Sequence, residues 1–328
     1  MLFDPKPSVV ALGGGHGLSA ALRALRHVSD QLTAIVTVAD DGGSSGKLRK
    51  QLNCLPPGDL RMALAALCGD DDWGRTWSGA LQTRFHAKGD LDGHAVGNLL
   101  IAGLWEMFDD PVAGLDWVGR LLGARGRVLP MTTVPLTIGA DITDKNGEPG
   151  ELVGQSALAK TETRIDHLWL EPANPPACTE ALAAIHQADW IVLGPGSWYT
   201  SVIVHLLVPE IAEALIETAA HRILTLNLST ESETDGLDAV AHLKAIHEHA
   251  PGLRIDVVLA DPSTIEDLPA LQEAAGKLGA ELVVRPVAES DGSGTHDPLR
   301  LATAYQDIFD GAETSWKELA TPAEAALR

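Results

Sequence analysis

Two glycine turns of one design end two separate apolar runs, Gly13-Gly14-Gly15-His16-Gly17 after Ser8–Leu12 and Gly194-Pro195-Gly196-Ser197 after Trp190–Leu193. Each precedes a helix-like segment, so each could offer backbone N–H groups and a helix N-terminus to an anion. Such a pair suggests a phosphate-rich ligand held between two halves of one sheet. In the first turn, glycine lets the backbone approach a phosphate without Cβ obstruction, and the His16 ring could donate to it. The spacing is neither GxGxxG nor a Walker A loop, and a tight turn with no ligand needs only a positive φ. In the second turn, stiff Pro195 fixes the loop while Ser197, Tyr199, Thr200 and Ser201 supply hydroxyls suited to phosphate, ribose or a sugar. Asn227, ending the next strand, is expected to face the same crevice.

Three more polar strings lie between the turns. Asp40-Asp41-Gly42-Gly43-Ser44-Ser45-Gly46 ends a second strand, where dinucleotide folds place an acidic residue against ribose hydroxyls. Ser44 and Ser45 offer hydroxyls and amides to a phosphate, with Lys47 and Arg49 supplying charge. Alternatively, Asp40, Asp41 and Asp59 could hold Mg²⁺, which takes one or two carboxylates plus ligand phosphates. Pro56-Pro57-Gly58-Asp59-Leu60-Arg61 puts a carboxylate and a guanidinium at a helix start, although an N-cap role for Asp59 explains half of it. His94 and Asn98, at i and i+4, could share a face toward a ligand. No nucleophile–base–orienter set emerges, and GxSxG, HExxH and SxxK are absent.

The elements that must position these groups follow from the pattern. Strands at Ser8–Leu12 and Leu32–Ala39 flank a helix at Leu18–His27, a βαβ start. Helices follow at Gly46–Leu52, Leu60–Leu67, Asn98–Phe108 and Val112–Leu122. From Arg127 to Leu170 the texture turns to short alternating runs, read as a few antiparallel strands in a cap or edge extension. Beyond it, helix Thr179–Gln187 and strand Trp190–Leu193 lead to a long helix, Trp198–Ala219. Strands Ile223–Leu228, Ile255–Leu259 and Leu282–Arg285 then alternate with helices Leu237–His249, Ile265–Leu278 and Leu299–Phe309. Strands alternating with helices this long mean a doubly wound, mainly parallel α/β sheet of Rossmann-like type, with helices on both faces. The whole chain, 1–328, is expected to form one large α/β domain carrying the strand-rich insertion at 127–171.

Composition narrows the partners. A formal charge of −21 repels nucleic-acid phosphate and anionic membrane surfaces. The densest basic set, Arg23, Arg26, Lys47, Arg49, Lys50 and Arg61, lies near the first glycine turn and suits a small anionic ligand better. Cys54, Cys68 and Cys178 show neither disulfide nor zinc spacing. No secretion signal or membrane span is read, and a reducing cytoplasm is the expected home.

The strings GGGHGLSAALRALR, TVADDGGSSGKLR, LPPGDLRMAL, GHAVGNLLIAGL and GPGSWYTSVIVHLLVPEIAEAL, in this order over residues 11–216, resemble the YvcK family of gluconeogenesis factors. That family shares a superfamily with the 2-phospho-lactate transferase CofD, an enzyme of deazaflavin cofactor synthesis. The resemblance implies a cytoplasmic protein that binds nucleotide sugars such as UDP-N-acetylglucosamine and supports cell shape and envelope synthesis on gluconeogenic carbon. It assigns ligand contacts to Gly14, Gly15, His16, Gly17, Asp40, Asp41, Ser44, Ser45, Asn98, Gly194, Gly196, Ser197, Tyr199 and Thr200. This chain departs from the family at His16, where the family has Thr, at Met62 for Asn and at Trp198 for Leu. After Asn227, LSTESETDG replaces an MTQPGET-like run. Gly13, Arg49, Asp59, Arg61, His94 and Asn227 complete the expected ligand-binding set. Three readings stand: a nucleotide-sugar sensor with no catalytic role, a CofD-like Mg²⁺-dependent transferase acting on a diphosphate ligand, and an NAD-dependent oxidoreductase. The expected partner is a small nucleotide sugar, without nucleic acid or membrane, and self-association is left open.

Overall fold

The structure, a computed structural model, describes residues 6–144, 146–161, 163–229 and 238–311. Strand β1 (Ser8–Gly13) runs into helix α1 (Gly15–Val28) and strand β2 (Gln31–Val36). On α1 the buried residues Leu18, Ala21, Leu22, Leu25 and Val28 recur at helical spacing, so one face packs on the sheet. Helices α2 (Gly43–Leu52), α3 (Gly58–Ala66), α4 (Asp72–Gln82), α5 (Val96–Phe108) and α6 (Pro111–Leu122) follow. Strand β3 (Arg127–Pro130) precedes a small group, β4 (Thr137–Thr143), β5 (Pro149–Val153), α7 (Gln155–Leu158) and β6 (Arg164–Glu171). The remainder comprises α8 (Thr179–Gln187), β7 (Trp190–Leu193), α9 (Pro209–Glu217), β8 (His221–Thr225), α10 (Ala239–His249), β9 (Val257–Ala260), α11 (Leu268–Lys277), β10 (Glu281–Val284) and α12 (Pro298–Gly311).

Seven strands form one sheet in the order β10-β9-β8-β7-β1-β2-β3, and every neighbouring pair is parallel. Helices cover both faces, which is why β1 and β7 read as unbroken apolar runs. The chain builds outward from β1 to β2 and β3, then returns to β1's other side with β7 and builds outward again. The strand order therefore reverses between β1 and β7, where open α/β sheets bind ligands. The two glycine turns sit at the C-terminal ends of these two strands, and Leu12 pairs with Leu193 in register.

Two expectations need correction. Arg127–Pro130 does not join the antiparallel group; it pairs in parallel with β2, Thr33 opposite Arg127 and Val36 opposite Pro130. Four residues are too few to show which sheet they belong to. The turn that delivers them does so: Gly123 and Gly126 both take positive φ, and Gly126 lies tight against the Leu32 carbonyl. The antiparallel sheet is β5-β4-β6 alone. The helix expected over Trp198–Ala219 is broken into a π-helical turn at Trp198–Val202, a 3-10 turn at Ile203–Leu207 and α9, with an 82° bend. Pro209 causes the break, because it lacks an N–H and drives Val208 out of the helical region. Among the described residues no single helix is long and apolar enough to cross a membrane; only this bent pair reaches that length and composition, and most of its first half is buried in the fold.

Candidate functional site

The two turns touch. A Cβ on Gly17 would lie 2.3 Å from the Pro195 carbonyl oxygen and 2.5 Å from the Gly196 Cα, so only glycine allows this approach. Asn227 holds the second turn from the other side: the Gly196 amide donates to its Oδ1 at 2.9 Å, and its Nδ2 donates to the Gly196 carbonyl at 2.8 Å. Gly194 and Gly196 take positive φ, as does Gly15 in the first turn. Gly13 accepts the Thr37 amide and so pins the loop after β2 to the end of β1.

On the β1–β2 side the expected residues converge. A Cβ on Gly14 would lie 2.6 Å from Asp59 Oδ2, and one on Gly58 2.4 Å from Ser45 Oγ and 3.0 Å from Asp40 Oδ2. Asp40 Oδ1 accepts the Gly42 amide at 2.9 Å. Burial and the neighbouring Asp40 carboxylate push Asp59 up to about 7, against the pull of the Gly15 amide and Arg61. The residue keeps some open surface, yet its Oδ2 is enclosed and has no hydrogen-bond partner among the described residues. Arg61, 4% exposed, donates from Nε to Asn98 Oδ1 at 2.9 Å. Asn98 donates to Ser44 Oγ at 3.0 Å, and Ser44 is 3.0 Å from His94 Nδ1. Desolvation, aided by Arg84, pulls Arg61 down to about 10, and its Nη1 is enclosed with no hydrogen-bond partner among the described residues.

Four helix N-termini meet here. Those of α1, α2, α3 and α5 have no side-chain cap, as is also true of α7, α8 and α9 outside the site, while the starts of α4, α6, α10 and α11 are capped by Asp71, Asp110, Asp238 and Asp267. The uncapped starts turn backbone donors and positive dipole ends toward the site, the Gly15 amide already being drawn to Asp59.

The remaining expected residues are placed in several ways. Asp41 Oδ1 accepts the Ser156 amide at 2.9 Å and Arg49 donates to Thr137 Oγ1 at 3.0 Å, so both tie the small antiparallel sheet to the site loop. Thr200 is fully buried, and Tyr199 sets its ring edge-on to His249 at 6.4 Å. Ser197 keeps partial exposure at the second turn, and His16 is exposed in the first turn of α1. Most of the acidic run after Asn227, residues 230–237, lies outside the described residues.

The β7–β10 side carries groups that sequence reasoning missed. A cavity of about 250 Å³ opens beside the two turns, lined on its far wall by Ser293, Gly294, Thr295 and His296. A larger one of about 640 Å³ adjoins it, reaching His242, Thr264 and Glu266. No local signal marks Ser293–His296, since Asp-Gly-Ser-Gly reads as a solvated turn. Topology brings the segment in: after edge strand β10 the chain crosses back over the strand ends to reach α12, which packs on α1.

Comparison with known proteins decides the family. The chain matches the family described as 2-phospho-L-lactate transferase CofD over residues 9–284. It is 48% identical over 316 residues to a Mycobacterium leprae protein named "Putative gluconeogenesis factor", covering 94% of this chain and 88% of that one. It is 37% identical to the "Gluconeogenesis factor" of Listeria innocua, covering 93% and 96%. The chain belongs to the YvcK/UPF0052 family of gluconeogenesis factors. A crystal structure of a UPF0052-family protein from Bacillus halodurans superposes with a TM-score of 0.81 at 35% identity, over 91% of this chain and 98% of that one. The YvcK α/β architecture is thus common to both chains, and the CofD match runs from β1 through β10.

Proposed function

We propose that this protein is a cytoplasmic nucleotide-sugar receptor of the UDP-N-acetylglucosamine type, serving cell-shape maintenance and envelope synthesis during growth on gluconeogenic carbon. One observation carries the reading: two glycine turns in van der Waals contact at the point where the strand order reverses, with uncapped helix N-termini on one side and cavities on the other. A diphosphate over the turns leaves one ligand end on each side. The relatives' gluconeogenesis-factor names agree with the physiological setting. Thermal melting against a panel of UDP-sugars tests it, because a ligand at 100 times its dissociation constant stabilises the native state by about 2.7 kcal/mol. An unchanged melting temperature with every UDP-sugar at millimolar concentration refutes it.

A second reading, transfer of a phospho-group as in CofD, is favoured by the Asp40–Asp59 pair. Two close carboxylates, one with an enclosed and unpartnered oxygen, form a donor set that suits Mg²⁺. A divalent ion held there would neutralise diphosphate charge as a bond breaks. Asp41 is less suited, since the Ser156 amide already occupies its Oδ1. Mg²⁺-dependent turnover of a phospholactyl-nucleotide donor with a deazaflavin acceptor would support this reading, and saturable binding without turnover would favour the receptor.

A further inference from the structure

Among the described residues the 250 Å³ cavity beside the turns has no lysine, arginine, aspartate or glutamate in its lining. It is smaller than the roughly 300–1,000 Å³ of whole-ligand sites, so it takes one end of a ligand. Its polar side chains are His16, Asn227, Ser229, Ser293, Thr295 and His296, and three of them are engaged with one another or with the second turn. The Asn227 amide is committed to Gly196, and the Ser293 and Thr295 hydroxyls bond one another at 2.6 Å.

His296 is different. It is 9% exposed, and its Nε2 is enclosed with no hydrogen-bond partner among the described residues. Burial pushes the ring down to about 4, against the opposing pull of a hydrogen bond to the Leu226 backbone and of Asp261, so it is neutral near pH 7. With Nδ1 donating to the Leu226 carbonyl, Nε2 is left as a lone-pair acceptor. A buried acceptor without a donor is penalised until one arrives. The donor it suits is uncharged, a ring N–H or a hydroxyl. A hydroxyl-rich sugar, by contrast, matches the carboxylates Asp40 and Asp59 across the turns.

We propose that this cavity receives the nucleoside end of the ligand, and that His296 Nε2 accepts a ring N–H of the base, selecting a uracil-type pyrimidine over a cytosine-type one. Uracil presents N3–H; cytosine presents a lone pair at N3 and would leave two acceptors facing each other. The inference deepens the proposed function and rests on it for the presence of a nucleotide. It fixes the ligand's direction: base toward β8–β10, phosphates over the two turns, and sugar toward Asp59 and Arg61.

Imidazole-nitrogen NMR of the intact protein, with calorimetry, tests it using UMP, CMP, GMP and N-acetylglucosamine 1-phosphate as probes. UMP should shift the His296 Nε2 resonance and bind about 10–100-fold more tightly than CMP, the range set by leaving a buried acceptor unpaired. GMP should bind more weakly than UMP because its two-ring base exceeds the cavity. His296→Gln, whose amide can accept from uracil N3–H or donate to cytosine N3, should bind both and narrow the UMP preference, and a folded His296→Ala should lose it. The wild-type resonance reads the contact even if that variant fails to fold. Equal affinity for UMP and CMP, a preference that survives His296→Ala, or a His296 shift caused by N-acetylglucosamine 1-phosphate instead of UMP would each overturn the proposal. If UDP-N-acetylglucosamine binds while any of these holds, only this inference fails. If neither it nor any uridine nucleotide binds, the proposed function fails with it.

Discussion

The two sides of the β1–β7 reversal point are built for different work. On the β1–β2 side four helices start without side-chain caps around two carboxylates, a buried guanidinium and a Ser–His–Asn chain. On the β7–β10 side α10 and α11 are capped by their own aspartates, and the nearer cavity offers neutral groups. The charged groups beside the turns lie on the first side, while on the second Asp238 and Glu266 line the larger cavity and not the nearer one. The boundary is a pair of glycine turns packed so closely that neither side can move far without the other.

That boundary is where the largest loss is expected. Gly17→Ala forces a methyl into the Pro195–Gly196 backbone, which cannot yield as a flexible side chain would. We expect a loss of about 3 kcal/mol in denaturant unfolding, at the upper end of ordinary overpacking, together with loss of UDP-sugar binding. A variant of near-native stability would mean that the turns are not in register contact. Next comes Arg61→Ala, confined to the charged side. It removes a charged hydrogen bond and leaves Asn98 Oδ1 unpaired, costing about 2–3 kcal/mol. Calorimetry should show weaker binding of UDP-sugars, and unchanged affinity would take Arg61 out of the ligand's reach.

Asp59→Asn probes the same side through pH. In the native state Asp59 holds a proton up to about pH 7, whereas an unfolded Asp releases it near 3.8. Native protein therefore binds the extra proton across this window, and that contribution to stability falls as pH rises through it. The variant, which mimics the protonated acid, should gain on wild type by up to about 4 kcal/mol between pH 4 and 7 and no further above it. A constant difference across the window would show that Asp59 is ionised throughout. The buried histidines act with the opposite sign. His205, His242 and His296, each pushed down to about 4 by burial, make both proteins less stable as pH falls below 6.5, so the test lies in the difference between the curves. The smallest effect belongs to the neutral side: Asn227→Ala removes two hydrogen bonds from Gly196, and about 1 kcal/mol is expected. A melting temperature equal to wild type would assign the hold on the second turn to other contacts.

The same division explains what could be read from the chain. The charged side is local in sequence. Its strands end in glycines, its helices begin within a few residues, and Gly14, Asp40, Ser44, Asp59, Arg61 and Asn98 fall inside 85 residues of continuous motif. Both the parallel architecture and the small antiparallel sheet were legible from alternation. The neutral side is assembled by topology: Ser293–His296 carries no signal beyond a turn, and its place depends on β10 being the edge strand. The bend after the second turn was hidden because the stretch 198–206 is buried throughout and shows no polar face to mark a break, and the consequence of Pro209 appears only once Val208 is seen extended. Asp41 and Arg49 read as ligand groups by type, and the sequence does not show that they also bond Ser156 on α7 and Thr137 on β4, about a hundred residues away.

The central claim is that one ligand straddles both turns. Hydrogen–deuterium exchange of the full-length protein, with and without saturating UDP-N-acetylglucosamine, reads it directly. The account predicts added protection in three separate stretches at once: the start of α1 from Gly14 to Leu18, the second turn from Gly194 to Ser201, and the crossing segment from Ser293 to Asp297. Protection confined to one side of the turns, or absent from both, would contradict it.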